Sequence, residues 1–244
     1  MANWNDPNVA ASGFGTVGTA DGAVDAGLRS YMLSVYNYMA SGVLLTGIVA
    51  LLFSRWEGAP ALLFGPGAFK WVIMLAPLAF VMVLSFGINK LSTAAAQGLF
   101  WAFSVVMGLS LSSIFFVYTG GSIAQTFFAT AAAFLGLSLY GYTTKKDLSG
   151  FGTFLIMGVV GILVAMVINM FVQSTALDLM ISVIGVLVFA GLTAYDTQKI
   201  KSIYFHVRGT DFVGKSVVMG ALNLYLDFIN MFLFLLRLLG SSRN

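Results

Sequence analysis

An all-α membrane bundle is the fold class this sequence predicts, and three observations predict it. Hydrophobic residues make up 59% of the 244-residue chain and charged residues only 9%, where a soluble domain is roughly a quarter charged. Apolar runs of about 20 residues, the length that crosses ~30 Å of hydrocarbon, recur along the chain. These runs are continuous, whereas a barrel would show short alternating stretches. Backbone polar groups in lipid must be satisfied within the segment, so the runs are helices.

Seven such runs can be drawn, at about 31–54, 71–89, 98–118, 122–142, 152–173, 177–197 and 216–238. Together they predict one seven-helix transmembrane domain over residues 29–244. Residues 1–28 are polar and small, with no basic n-region and no apolar h-region, and read as a flexible tail without a cleaved signal. Small residues recur inside the spans, as in "SGVLLTG" from Ser41, "GLSLSS" from Gly108 and "GLSLYGY" from Gly136. Such positions let helix backbones approach closely. Trp71, Trp101, Tyr118, Tyr140 and Tyr142 fall near span ends, as interfacial anchors do.

Composition excludes several functions. The chain has no cysteine and a single histidine, His206, so disulfides, thiolate metal sites and histidine-rich metal sites are out. A net charge of +3 with basic residues at span ends forms no nucleic-acid stripe, so no nucleic-acid partner is expected. Those basic residues orient the chain instead. With a cytoplasmic N-terminus, that side collects Arg29, Lys90, Lys145, Lys146, Lys199, Lys201, Arg208 and Lys215, leaving Arg55, Lys70, Arg237 and Arg243 outside.

Most acidic residues have ordinary places: Asp6, Asp21 and Asp25 in the tail, Glu57 and Asp147 in loops, Asp211 in a basic loop, Asp178 opening the sixth span. Two do not. Asp227 lies twelve residues after Lys215 and ten before Arg237, which at 1.5 Å per residue puts it near the bilayer midplane. A carboxylate there costs ~2.5–3.5 kcal/mol on the insertion scale, so it must face protein or water. Asn223, Asp227 and Asn230 recur at i, i+4 and i+7, one polar stripe on an apolar helix. The stripe suits a water- or ion-lined path; interhelical hydrogen bonding is the plainer alternative.

Asp196 ends the sixth run in "GLTAYDTQKIK", with Lys199 at i+3 as a candidate partner. Its helix is also the sequence neighbour of the one that carries Asp227, and two carboxylates that met in a poorly hydrated place could not both ionise cheaply and would share a proton. Depth separates them. Counted from Lys199 and Lys215, the two carboxylates are offset by roughly 10 Å or more along the axis. A sixth helix running beyond Lys201, snorkelling lysines or a water-filled vestibule would close the gap.

"TTKKDLSGFGTFL" (143–155), "AYDTQKIK" (194–201) and "NLYLDFINMFLFLLRLLG" (223–240), in this order and spacing, resemble the Bax inhibitor-1 family, also called the transmembrane BAX inhibitor motif family. The resemblance covers nearly everything from the first span onward. It implies a seven-helix bundle whose last helix is central and surrounded by the other six. It also implies a calcium leak gated by pH, with aspartates on the sixth and seventh helices as sensor and latch, matching Asp196 and Asp227. Some members engage the sixth-helix aspartate with an arginine on the second helix. Here "SFGINKLS" (85–92) offers only Lys90, which lacks the planar fork that pairs bidentately with a carboxylate.

The expectation is thus a pH-sensitive Ca²⁺ leak channel, with Asp196 and Asp227 as sensor and as tentative Ca²⁺ ligands, and Asn223, Asn230, Lys90 and Lys199 supporting the path or latch. Ca²⁺ favours such oxygen ligands. No cofactor and no enzymatic activity are expected, and the partners are the lipid bilayer, Ca²⁺ and protons in a bacterial inner membrane. The resemblance carries an alternative: a regulator of other membrane proteins, through cell-death suppression or a membrane-bound AAA protease, without need of flux. An intramembrane aspartyl protease also uses two membrane aspartates. The Gly-x-Gly-Asp half of that signature is missing, because "LYL" precedes Asp227.

Overall fold

The computed structural model describes residues 16–243, with side chains from Val24 onward. Nine helices are seen among them: α1 (Thr16–Ser54), α2 (Ala59–Phe64), α3 (Phe69–Gly87), α4 (Thr93–Leu111), α5 (Ile114–Val117), α6 (Gly120–Thr143), α7 (Ser149–Val172), α8 (Thr175–Val207) and α9 (Val213–Leu239). Seven are long and apolar enough to span a membrane, with α2 and α5 as short connectors, so the described chain is an all-α polytopic bundle.

Two boundaries depart from the sequence reading. Helix α1 starts at Thr16, so the expected tail over 1–28 is helical in its last part; residues 1–15 lie outside those described. Val17, Ala20, Val24 and Leu28 recur at helical spacing there. Leu28 and Tyr31 are buried, and Gly27 lies so close to Tyr204 of α8 that a Cβ would run into the phenol. Helix α8 continues past its lysines to Val207, ten residues beyond the expected end at 197. Ile200 and Tyr204 extend its buried face, so packing carries the helix through a charged stretch that hydropathy reads as loop.

Helix α9 is the core. Buried residues recur along its whole length from Ser216 to Leu236, and 72% of its membrane stretch is buried in the protein, against 11% for α7. The last helix is central, as the resemblance implies, but it packs mainly on four helices, α1, α4, α6 and α8. Helices α3 and α7 sit outside, α3 chiefly on α4 and α7 on α8.

Without a hydrophobic driving force between helices in lipid, close approach and hydrogen bonds hold such a bundle. At the α6/α8 crossing Gly141 lies against the backbone of Ala194 with no room for a Cβ, and Gly152 of α7 lies likewise on the Tyr195 ring. Inside, Thr46 of α1 donates to the Ser104 carbonyl of α4 at 2.9 Å and meets the Tyr225 hydroxyl of α9 at 2.6 Å. The single threonine proton is spent on Ser104, so Tyr225 is the donor to Thr46. Phe103 packs edge-on against Tyr225, with ring centroids 5.0 Å apart.

The connections set registers. Arg208–Phe212 form a tight turn between α8 and α9, with Gly209 at φ +77°, a left-handed conformation that side-chain-bearing residues rarely adopt. At the opposite end, the Thr119 N–H donates to the Ser241 carbonyl at 3.1 Å and the Arg243 N–H to the Val117 carbonyl at 2.8 Å. The C-terminal residues are thereby tied to the α5–α6 corner.

Candidate functional site

The extended α8 and the short turn change the depth problem. Asp196 lies 11 residues before the end of α8 at Val207, and Asp227 lies 14 residues after the start of α9 at Val213. Counted from the turn that joins these antiparallel helices, the offset is three residues, about 4.5 Å of helix rise. The larger offset expected from the lysines came from treating Lys199 as a helix end. It is instead an interior position of α8.

Asp227 is 4% exposed, and one of its carboxylate oxygens is buried without a hydrogen-bond partner among the described residues. Asp196 lies on α8 at nearly the same depth, three residues of helix rise away, with Lys199 one turn further along α8. Asp196 is half-buried and, with Lys199, makes no ion pair within 4 Å among the described residues. The Lys199 ammonium stands instead over the Tyr195 ring, 5.8 Å from its centroid. The bundle therefore brings two carboxylates and one ammonium into the same neighbourhood, with the deeper carboxylate left unsatisfied.

The remaining expected residues divide. Asn223 and Asn230 are half-buried on the α9 face that carries Asp227, and the Asn230 amide donates to the Leu226 carbonyl at 2.8 Å. Lys90 stands exposed on the corner between α3 and α4 and is not drawn to Asp196; α3 packs on α4, away from α8. His206 belongs to the last turn of α8, its Nδ1 3.0 Å from the Ser202 carbonyl. Among the described residues no three acidic or histidine side chains converge as a metal cluster. A passing Ca²⁺ would have to complete its six to eight oxygens from asparagine, backbone and water.

Beyond Asp227, a cavity of about 500 Å³ enters from the other end of the bundle. Phe189, Phe234 and Ile162 line it, Asn230 lies within it, and Arg237 stands near its mouth. Asn230 is one turn from Asp227 on the same face, so this cavity approaches the carboxylate from the side opposite the α8–α9 turn. Arg237 pairs with Asp178 at 3.3 Å, joining the end of α9 to the first turn of α8.

Sequence reasoning missed the residues that fix the "TTKKDLSG" loop. The Gln198 carbonyl oxygen accepts from the Leu148 N–H at 2.9 Å and its amide donates to the Lys146 carbonyl at 2.8 Å. The Lys201 ammonium donates to the Tyr142 carbonyl at 2.9 Å and covers that residue's ring. The family motif on α8 is thus in part a clamp on the loop between α6 and α7. In the loop itself, hydrogen bonds from Ser149 hold the Asp147 carboxyl below the usual carboxylate range.

An all-α bundle of seven spans with a buried polar central helix defines a polytopic integral membrane protein. Residues 28–244 match the family described as inhibitor of apoptosis-promoting Bax1. The chain belongs to this family, the Bax inhibitor-1 family. It is 49% identical to the inner membrane protein YbhL of Escherichia coli, over 89% of this chain and 94% of that one. It is 46% identical to a protein of Rickettsia prowazekii, over 90% and 93% of the two chains, and 45% identical to one of Caulobacter vibrioides, over 92% and 93%.

Proposed function

We propose that the protein is a pH-sensitive cation leak, Ca²⁺ being the permeant ion, with Asp196 and Asp227 as the gate. The observation that carries this reading is the unsatisfied, fully enclosed oxygen of Asp227 beside a second carboxylate. An unpaired acceptor in that position is expensive unless it serves a proton or an ion. The cavity that reaches Asn230 supports a path from the C-terminal side, and the half-buried Asp196 supports one from the other.

The gate works by like-charge repulsion. When both carboxylates are ionised they push apart; one shared proton turns repulsion into a hydrogen bond that draws α8 onto α9 and closes the path. Flux therefore falls as pH falls. Lys199 moderates the repulsion without neutralising the pair by contact. The distribution of basic residues supports a cytoplasmic N-terminus, and the likeness to YbhL, an inner membrane protein, supports a bacterial inner membrane.

The test is Ca²⁺ flux against pH in liposomes containing only this protein. Asp227→Asn and Asp196→Asn should each flatten the pH response, Asp227→Asn more strongly because its carboxylate is the deeper one. Flux and pH response unchanged in both variants would remove the proposal and leave partner regulation, which needs no flux.

A further inference from the structure

Helices α1 and α6 both pack on α9 yet make no substantial contact with each other. The seam between them is a chain of three hollows along the bundle. The first, about 360 Å³, is lined by Arg29, Tyr36, Leu135, Ser138 and Tyr142. The second, about 400 Å³, shares Tyr36 and Leu135 with the first. The third, about 300 Å³, shares Val43, Phe127 and Phe228 with the second and ends near Gly120, at the start of α6. The floor is α9 itself, through Phe228 and Phe232.

Among the lining residues the only charge and the one unpaired buried hydroxyl are at the first end, Thr46 of the third hollow being already bonded to Ser104 and Tyr225. There Ser138 is 3% exposed, and its hydroxyl has no hydrogen-bond partner among the described residues. A buried hydroxyl facing a hollow with no acceptor costs about 1–3 kcal/mol unless something fills the place. Arg29 stands at the same end, exposed and in no salt bridge among the described residues. Asp25, one turn earlier, is exposed and outside the lining, while Lys145 and Lys146 follow the end of α6. The charge at this end favours an anion, and everything past it favours hydrocarbon.

We propose that this seam holds one phospholipid of the surrounding bilayer. Its anionic headgroup lies at Arg29, a glycerol ester oxygen accepts from Ser138, and an acyl chain runs down the hollows over Phe228. Size argues against a helix as the occupant. A helix 10 Å across spanning 30 Å takes up on the order of 2,000 Å³, whereas each hollow holds 300–400 Å³. An acyl chain fits a narrow series of this kind, and an apolar lining gives water nothing to bond to.

The test is native mass spectrometry of the full-length protein released from nanodiscs of mixed phosphatidylglycerol and phosphatidylcholine. Wild type should retain one phospholipid per chain, predominantly phosphatidylglycerol. Ala40→Trp fills the second hollow from an exposed position, and Gly47→Phe fills the third where nothing stands within 4 Å of an added Cβ. Both should lose the retained lipid, and having two plugs guards against one failing to fold. Arg29→Gln should keep one lipid but reduce the preference for phosphatidylglycerol about fivefold. The proposal is overturned by a wild type that retains no lipid, by retention in both plugged variants, by an unchanged headgroup preference in Arg29→Gln, or by a second protein chain crosslinking across the seam.

Discussion

Helices α7 and α9 are opposites. α7 has the highest mean hydropathy of the seven spans and the least burial, 11% of its membrane stretch. α9 carries Ser216, Asn223, Tyr225, Asp227 and Asn230, and 72% of its stretch is buried. In water this ordering would be inverted, because apolar residues go inside. In lipid the apolar helix is the one the bilayer touches, and polar groups must find one another inside. The helix at the centre is therefore identified by its polar stripe, and the most apolar helix is the most peripheral.

The largest effect expected from this contrast is steric. Gly141→Leu forces a side chain into the Ala194 backbone at the α6/α8 crossing, where no flexible group can move aside. The loss should be about 3 kcal/mol or more. Gly161→Leu on the open face of α7 has nothing within 4 Å of its Cβ and should change stability by less than about 0.5 kcal/mol. Thermal unfolding in detergent measures both. Equal losses at the two positions would mean that α7 is packed as tightly as the interior, and the contrast would collapse.

A smaller effect tests whether hydrogen bonds hold the centre. Tyr225→Phe removes the donor to Thr46 but leaves Thr46 bonded to Ser104. The cost should be about 1 kcal/mol, the scale of interhelical hydrogen bonds in membranes. A double-mutant cycle with Thr46→Val isolates the pair term. A coupling indistinguishable from zero would leave packing of Tyr225 between Phe100 and Phe103 as its whole contribution.

Much of this was legible in the sequence because the bilayer fixes helix length and hydropathy finds it; all seven runs correspond to spans. The resemblance named the family and the central last helix, and both hold. What failed was the reading of charge as a boundary. Lys199, Lys201 and His206 lie within α8 because Ile200 and Tyr204 bury its other face, a tertiary fact absent from local hydropathy. That error alone produced the depth mismatch between Asp196 and Asp227. The Gln198 clamp was equally invisible, since its partners are backbone groups some fifty positions away. Lys90 was expected to support the latch in place of the family's arginine, and its place on the outer α3–α4 corner follows from α3 packing on α4, which the sequence does not show.

The smallest effect concerns how α7 is held at its entry. Its sides give it little burial, so the loop that leads into it matters, and Asp147 shapes that loop by accepting the Ser149 N–H at 2.9 Å. The same carboxylate also sits near the helix N-terminus, where negative charge is favoured. Because its folded pKa is lowered, Asp147 contributes stability that is fully present above the ordinary carboxylate range near 4 and is lost as pH falls through the folded value. Asp147 is exposed, so this contribution is screened by salt and stays below the two interior effects. Asp147→Asn should therefore lower the melting temperature slightly at pH 7 and low salt, with the gap to wild type narrowing at pH 3 and in high salt. A gap that persists unchanged at pH 3 would assign the effect to loop geometry, and α7 would then be held at its entry by shape and the Gln198 clamp, with no contribution from charge.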